Sequence, residues 1–326
     1  MATLSVRAKR AERRGALRPR STSAHLRSAT GLQRRPVQGP LAIVLGSDEI
    51  ASAIAHALRS HECAVVLTDE IDPPGALRGM SFVNAWYLGS AELDGIAACF
   101  CSSVKSIPEV IDRQQLVAAT AWSWQGIAAV LHPEVLVDAR SAHGGTAEAL
   151  RDRVPGLVCL ACGFGVEAPG HVDAAIETAY GDRAGAVVLS GRTSPDPGLA
   201  PPLAGLGEER CVYSPRNGRF RTQLRIGDRV DARDPLGDVN GTPLEAPVSG
   251  VLRGISARGA RVRPGCLIAE IDPRGQPSLC YGIDPHAAAI ARGVVRALQS
   301  LGLLPERPPH SGDDLSWTGP SIVTNS

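Results

Sequence analysis

Residues 41–70, LAIVLGSDEIASAIAHALRSHECAVVLTDE, carry the reading of the fold. Leu41-Ala-Ile-Val-Leu45 has the length, apolarity and β-branching of a buried strand. Gly46-Ser47-Asp48-Glu49 then turns the chain into Ile50–Ser60, where Ile50, Ala51, Ile54, Ala55 and Leu58 recur at helical spacing. Cys63–Asp69 is a second apolar run that closes on the acids Asp69 and Glu70. Strand, tight turn, helix, strand is one βαβ unit, and its connection should be right-handed.

The turn itself offers chemistry. Backbone N–H groups at a helix N-terminus suit a pyrophosphate, and glycine lets it approach. The pattern is Gly46-x-Asp48-x-x-Ala51, and Asp69 stands about 20 residues on, where a ribose-binding acid belongs. Gly46, Asp48 and Asp69 are therefore candidates for an NAD(P) site. A carboxylate at position 48 repels phosphate, however, and makes a good helix N-cap. A capped scaffold helix is the alternative.

Working outward, Ile96–Cys101, Val135–Asp138 and Gly156–Ala161 read as further strands, with helical stretches at Arg113–Ala119 and Thr146–Arg153 between them. Alternating β and α argues for a parallel sheet covered on both faces. Val172–Ala179 and Ala184–Ser190 are strand-like. The expected architecture is α/β: a Rossmann-like domain over residues 41–192, then a linker over 193–213 where proline and glycine become dense.

Beyond the linker lies an internal repeat. Residues 214–239 align without gaps on 246–271, an offset of 32. Pro215, Gly218, Arg221, Gly227, Arg229 and Val230 fall on Pro247, Gly250, Arg253, Gly259, Arg261 and Val262. Phe220 meets Leu252, Leu236 meets Ile268, Asp238 meets Glu270 and Val239 meets Ile271. Two such copies facing each other would bury one common core. This predicts a smaller all-β module over 214–284, followed by an amphipathic helix over 285–303 that carries Ala288, Ile290, Ala291, Val294, Val295 and Leu298.

Composition bounds the rest. The chain has 326 residues, enough for about two domains. No stretch approaches the roughly 18–20 apolar residues of a membrane span, so no membrane partner is expected. Residues 1–40 carry ten basic side chains against Glu12 alone, so the body is mildly acidic beneath an overall charge of +1. That argues against a nucleic-acid partner. The basic segment 1–40 and the Pro- and Ser-rich segment 304–326 are expected to be disordered tails. The first has no apolar signal core. Eight cysteines without such a signal read as reduced thiols, and a cytoplasmic location is expected. Lys9 and Lys105 are the only lysines.

The repeat resembles the barrel-sandwich hybrid of biotinyl and lipoyl domains, through Ala246-Pro-Val-Ser-Gly-Val251 followed by Gly259-x-x-Val262-x-x-Gly265. Carriers of that kind tether their group through a lysine at a hairpin tip. The corresponding hairpin here, near Val239-Asn-Gly-Thr242, has none, so biotin or lipoate attachment is excluded.

A longer resemblance, from about Leu41 to Leu298, is to the selenium-dependent molybdenum hydroxylase accessory proteins. It rests on Gly163-Phe-Gly165-Val-Glu-Ala168, Val172–Thr178, Ser190-Gly191 and Pro195-Asp-Pro-Gly198. Asp238–Pro247 and Ile271–Gly275 with Cys280 continue it. The resemblance implies an accessory or maturation role. The molybdenum-pterin cofactor would be the ligand handled, and the hydroxylase apoenzyme or its maturation proteins the partner. The chain departs from that family at Ser47, Asp48 and Glu49 in the first turn, at Ala53, at Asp182 and at His286. An NAD(P)-dependent oxidoreductase and a ligand-free docking scaffold are the alternatives.

Four further features carry candidate chemistry. Gly163, Gly165, Glu167, Asp173 and Glu177 could line a site at the carboxyl end of a sheet, the acids receiving the N–H groups of a pterin. The alternative is a tight turn followed by solvent-facing acids. Cys159-x-x-Cys162 could hold a metal or act in redox chemistry, but reads equally as a buried strand, and no metal site is expected. Arg274 in Asp272-Pro-Arg274 is either a turn residue paired with a carboxylate or an oxyanion ligand. No P-loop, HExxH or serine-nucleophile motif occurs.

Overall fold

The computed structural model describes residues 39–306 and the strand 323–324, apart from 74, 114–115, 141–149, 152–155 and 199–201. The tail expected over 1–40 lies almost wholly outside the described residues, as do most of 304–326 and of the helix expected over 146–153.

The molecule is α/β: one large mixed sheet, two small antiparallel sheets and a C-terminal helix. The strands of the large sheet are β1 (Leu41–Leu45), β2 (Ala64–Thr68), β3 (Ser90–Leu93), β4 (Ile96–Phe100), β5 (Val117–Thr120), β6 (Val135–Asp138), β7 (Val158–Cys162), β8 (Glu167–Ala168), β9 (Ala174–Ile176) and β10 (Val187–Arg192), with the two-residue strand Val323–Thr324 added parallel to β10 at its outer side. Leaving out β8, which pairs only with β10, they lie in the order β10-β9-β7-β6-β1-β2-β5-β4-β3. The run from β9 to β4 is parallel throughout. Its flanks β3 and β10 are antiparallel, so the sheet is mixed.

Helix α1 (Glu49–Ser60) follows β1, and α2 (Asn84–Leu88) and α3 (Trp124–Leu131) follow β2 and β5. The C-terminal α4 (Pro285–Ser300) lies beside α1 on one face of the sheet, where Ile50, Ile54 and Leu58 share a core with Ile290, Val294 and Leu298. On the other face Trp124 and Ile127 of α3 pack with Val166, Ala168 and Val172. The helix expected over 113–119 does not form. A single wide helical turn, Glu109–Arg113, precedes β5, whose four residues are all buried between neighbouring strands. Sheet burial there overrides a local preference for helix. Among the described residues no helix is long and apolar enough to cross a membrane.

The two small sheets are built from β11 (Cys211–Tyr213), β12 (Gly218–Arg221), β13 (Arg229–Val230), β14 (Pro235–Val239), β15 (Thr242–Glu245), β16 (Gly250–Ile255), β17 (Arg261–Val262) and β18 (Leu267–Asp272). One runs β11-β18-β16-β13 and the other β15-β14-β12-β17. Each copy of the repeat thus lends its short strand to the other copy's sheet. The register keeps the offset of 32: Phe220 pairs with Val239 and Leu252 with Ile271. Gly227 N donates to Leu252 O at 2.8 Å, and Gly259 N to Phe220 O at 2.7 Å. Phe220, Leu236, Val239, Leu252, Ile268 and Ile271 fill the shared core.

Candidate functional site

From β1 the parallel sheet grows through β2 and β5 on one side, and the chain then returns to β6 on the other. Such a reversal is where open α/β sheets usually hold a ligand, in a crevice outside the carboxyl ends of the strands, here those of β1 and β6. Gly46 leaves β1 with φ +112°, a conformation that side chains rarely adopt. Its N–H donates to Thr68 O at 2.9 Å, holding the turn against β2. A Cβ at position 46 would lie 3.2 Å from that of Ala51 and 3.8 Å from Arg140 Cγ, so the arginine stands over the turn.

Ser47 is buried, and its Oγ donates to Asp69 Oδ2 at 2.6 Å. The other carboxylate oxygen accepts the Glu70 N–H at 2.7 Å. Each oxygen keeps a lone pair for a further donor. Burial raises the Asp69 pKa above its ordinary value, against the pull of the Ser47 and Glu70 hydrogen bonds. Asp48 accepts the Ala51 N–H at 2.8 Å and caps α1, so a carboxylate already occupies the helix N-terminus. Across the crevice, Asp138 at the end of β6 grips Arg140 through the backbone N–H at 3.1 Å, Nε at 2.9 Å and Nη2 at 2.7 Å. Sequence reading singled out Gly46, Asp48 and Asp69 but passed over Ser47, Asp138 and Arg140. The one available signal was that Asp138-x-Arg140 has the spacing of Asp272-x-Arg274.

The second group of candidates is divided. Gly163 and Glu177 share the carboxyl edge of the sheet: Gly163 N donates to Ile176 O at 3.3 Å. Glu177 is fully buried and accepts the backbone N–H groups of Thr178 and Ala179, each at 2.9 Å, and of Ser194 at 2.8 Å. It braces a loop. Gly165 donates its N–H to Ser194 O at 2.8 Å. From there the chain crosses the sheet face. Glu167 pairs with Arg192 midway, and Asp173 accepts the Cys159 N–H at 2.8 Å, near the amino end of β7. Glu167 and Asp173 are therefore not brought to Gly163 and Glu177. Arg274 is clamped by the buried Asp272 through Nε at 3.0 Å and Nη2 at 2.7 Å, on the β module.

Three residues apart on one strand, Cys159 and Cys162 point to opposite faces of the sheet and join different cores. Burial raises the Cys162 thiol pKa far above its ordinary value. Among the described residues no three His, Cys, Asp or Glu side chains gather into a metal site. A cavity of about 370 Å³ lies between the segment after β2 and the β module, with Glu70, Asp72, Arg261, Arg263 and Cys266 on its walls. Arg263 pairs with Glu70 across it.

No family model matches the chain. It is 28% identical over 262 residues to the uncharacterized protein YqeB of Escherichia coli (strain K12), a match covering 80% of this chain and 48% of that protein. The chain thus spans about half the length of the curated relative it matches. Among solved structures it is matched to a succinylglutamate desuccinylase/aspartoacylase from Rhodobacter sphaeroides, at 16% identity over 53% of this chain and 44% of that one, with a TM-score of 0.17. It is also matched to the product-bound ectoine utilization protein EutE (DoeB) from Ruegeria pomeroyi, at 14% identity, 72% and 85% coverage and a TM-score of 0.22. A succinylglutamate desuccinylase from Silicibacter sp. TM1040 follows, at 15% identity, 72% and 84% coverage and a TM-score of 0.21. Likenesses this faint carry no activity over to this chain. The resemblance to molybdenum hydroxylase accessory proteins is nevertheless overturned. None of these matches bears it out: the solved structures are desuccinylase and ectoine-utilization proteins, and the curated relative is uncharacterized. The maturation role drawn from that resemblance falls with it.

Proposed function

We propose that this chain binds a nucleoside through its ribose, in the crevice at the carboxyl ends of β1, β2 and β6. The reading treats the large sheet as a Rossmann-like scaffold, in which an acid at the end of the second strand accepts the ribose hydroxyls. One observation carries it: Asp69 is fastened to the first turn by Ser47 at 2.6 Å and to its own strand end by Glu70 N–H, leaving one lone pair on each oxygen. A vicinal diol has two donors to fill them.

The residues present fit the ribose of a dinucleotide but not its pyrophosphate. Asp48 holds the α1 N-terminus that a phosphate would need, and Arg140 is already gripped by both oxygens of Asp138. The ligand class is therefore a nucleoside with an uncharged or cationic 5′ substituent. In this reading the β module, a barrel-sandwich hybrid without a lysine, serves as a packing partner for the α/β part and not as a carrier.

Calorimetric titration with adenosine, 2′-deoxyadenosine and NAD tests the assignment. Adenosine should bind, NAD should bind no tighter, and the deoxynucleoside should lose roughly tenfold or more, the worth of a hydrogen bond to a charged group. Asp69→Asn should match that loss. Wild-type binding should also weaken as pH falls through the raised pKa of Asp69, because only the ionised carboxylate accepts from both hydroxyls. Equal affinity for the two nucleosides sinks the reading.

A further inference from the structure

Resting on that reading, we infer that Trp122 is the platform on which the base of the nucleoside stacks. Trp122 follows β5, the strand paired with β2. Asp69 N–H donates to Thr120 O at 3.3 Å, so the carboxylate and the tryptophan leave adjacent strand ends. Neighbouring strands run about 4.8 Å apart. A base attached to a ribose at Asp69 therefore has the reach to lie over the next strand end.

The tryptophan is held in place from several sides. Thr68 Oγ1 donates to its carbonyl, its own N–H reaches Thr120 Oγ1 at 3.4 Å, and the indole Nε1 donates to Ser102 O at 3.1 Å. Thr120 Oγ1 in turn donates to Cys101 O at 2.8 Å, tying in the end of β4. These bonds order the side chain, yet the residue stays 48% exposed. Trp124, two residues on, shows the contrast: it is 6% exposed and belongs to the core beside Ile127. Packing accounts for Trp124 and leaves Trp122 unexplained. An indole fixed by hydrogen bonds and open to solvent costs a bound base little further ordering. Stacking tolerates any base, because each has a π-face, so Trp122 supplies affinity for the base without selecting its identity.

The test compares adenosine with methyl β-D-ribofuranoside, which keeps the diol and lacks the base, on wild type, Trp122→Ala, Trp122→Phe and Asp69→Asn. Trp122→Ala should weaken adenosine about tenfold or more, with Trp122→Phe intermediate, the effect expected of one base on one ring. The riboside should bind wild type and Trp122→Ala alike, and Asp69→Asn should weaken both ligands. Adenosine should quench tryptophan emission in wild type and not in Trp122→Ala, a readout that a merely structural change does not imitate. Unchanged adenosine affinity in Trp122→Ala, with Asp69→Asn still damaging, overturns the stacking role alone. Absence of binding by either ligand to wild type overturns the nucleoside reading and this inference together.

Discussion

The two copies of the β module share a backbone and differ in what covers them. Copy one spans 214–239 and copy two 246–271. In the first, β12 buries only alternate positions, as a strand with one wet face does, and Arg221 is exposed. In the second, β16 is buried at every position after Gly250, because the α/β part lies against its outer face. There Arg78 Nε donates to Ile255 O at 2.9 Å. The matched polar pair changes character with its surroundings. Asp238 of the first copy merely accepts the Gly241 N–H at 2.7 Å. Its counterpart Glu270 is buried, takes Arg210 at 2.7 Å and also Arg253, and Arg253 reaches the α4 N-cap Asp284 at 2.8 Å. Burial works against the charge on Arg253, but Glu270 first and Asp284 second hold it protonated. The same repeat position is thus a surface feature in one copy and part of a buried junction in the other.

The largest break in that comparison should come from Glu270→Gln. It removes the carboxylate shared by Arg210 and Arg253 and leaves two buried guanidinium groups short of countercharge, a change that typically costs about 3–5 kcal/mol. Asp238→Asn, the same change one repeat earlier, should stay within about 0.5 kcal/mol. Urea unfolding of the two variants decides it. Equal losses would mean that the junction contributes nothing its exposed counterpart lacks.

A smaller effect separates Gly254 from its counterpart Thr222. The Thr222 hydroxyl donates to Leu236 O at 2.7 Å and accepts the Leu224 N–H, closing a turn in the open copy. At Gly254 a Cβ would stand 2.7 Å from Leu77 Cδ2 and 3.0 Å from the Ala76 backbone, so glycine is what lets the module sit down on the α/β part. Gly254→Thr makes the copies alike in sequence and should cost about 1–3 kcal/mol as an overpacked contact. Hydrogen exchange should quicken around Ala76–Ser81 in the same variant. Unchanged exchange there would show that the contact yields without resistance.

How much of this was legible in sequence depends on whether the relevant contacts are local. Strand, turn and helix over 41–70 announce themselves by period, and α1 and β2 form within a residue of the expected bounds. The repeat is legible because equivalent residues keep one offset. β4 forms where its apolar run predicts, but its hairpin partner β3 and the strand β5 are not legible: β5 is four residues long, and only its neighbours in the sheet make it a strand. At the candidate site Asp69 could be found from its place after a strand. Ser47 could not, since its role arises from a contact across to the end of β2, and the local Asp138–Arg140 clamp is marked only by sharing the spacing of Asp272-x-Arg274. The segment from Gly163 to Glu177 teaches the converse. It is continuous in sequence, yet it crosses the sheet face and delivers Asp173 near the amino end of β7, away from Gly163.

The subtlest difference between the copies lies at their final residues. Copy one runs into Asn240-Gly241, a tight hairpin back to β15, whereas copy two places Asp272 at the position of Asn240 and lets the chain depart. Burial opposes ionisation of Asp272, but the side-chain and backbone hydrogen bonds from Arg274 outweigh it and hold the carboxyl below its ordinary range. A depressed folded-state pKa means that this clamp contributes fully above the ordinary carboxylate value and is lost as pH falls through the folded one. Asp272→Asn imports the residue of the first copy and should remove that acid-sensitive part of the stability, about 1 kcal/mol at neutral pH because Arg274 remains partly in water. Unfolding measured from neutral to acid pH should show wild type and variant converging as the medium is acidified. If the gap between them stays constant down to strong acid, Asp272 holds the chain's exit by shape and not by charge.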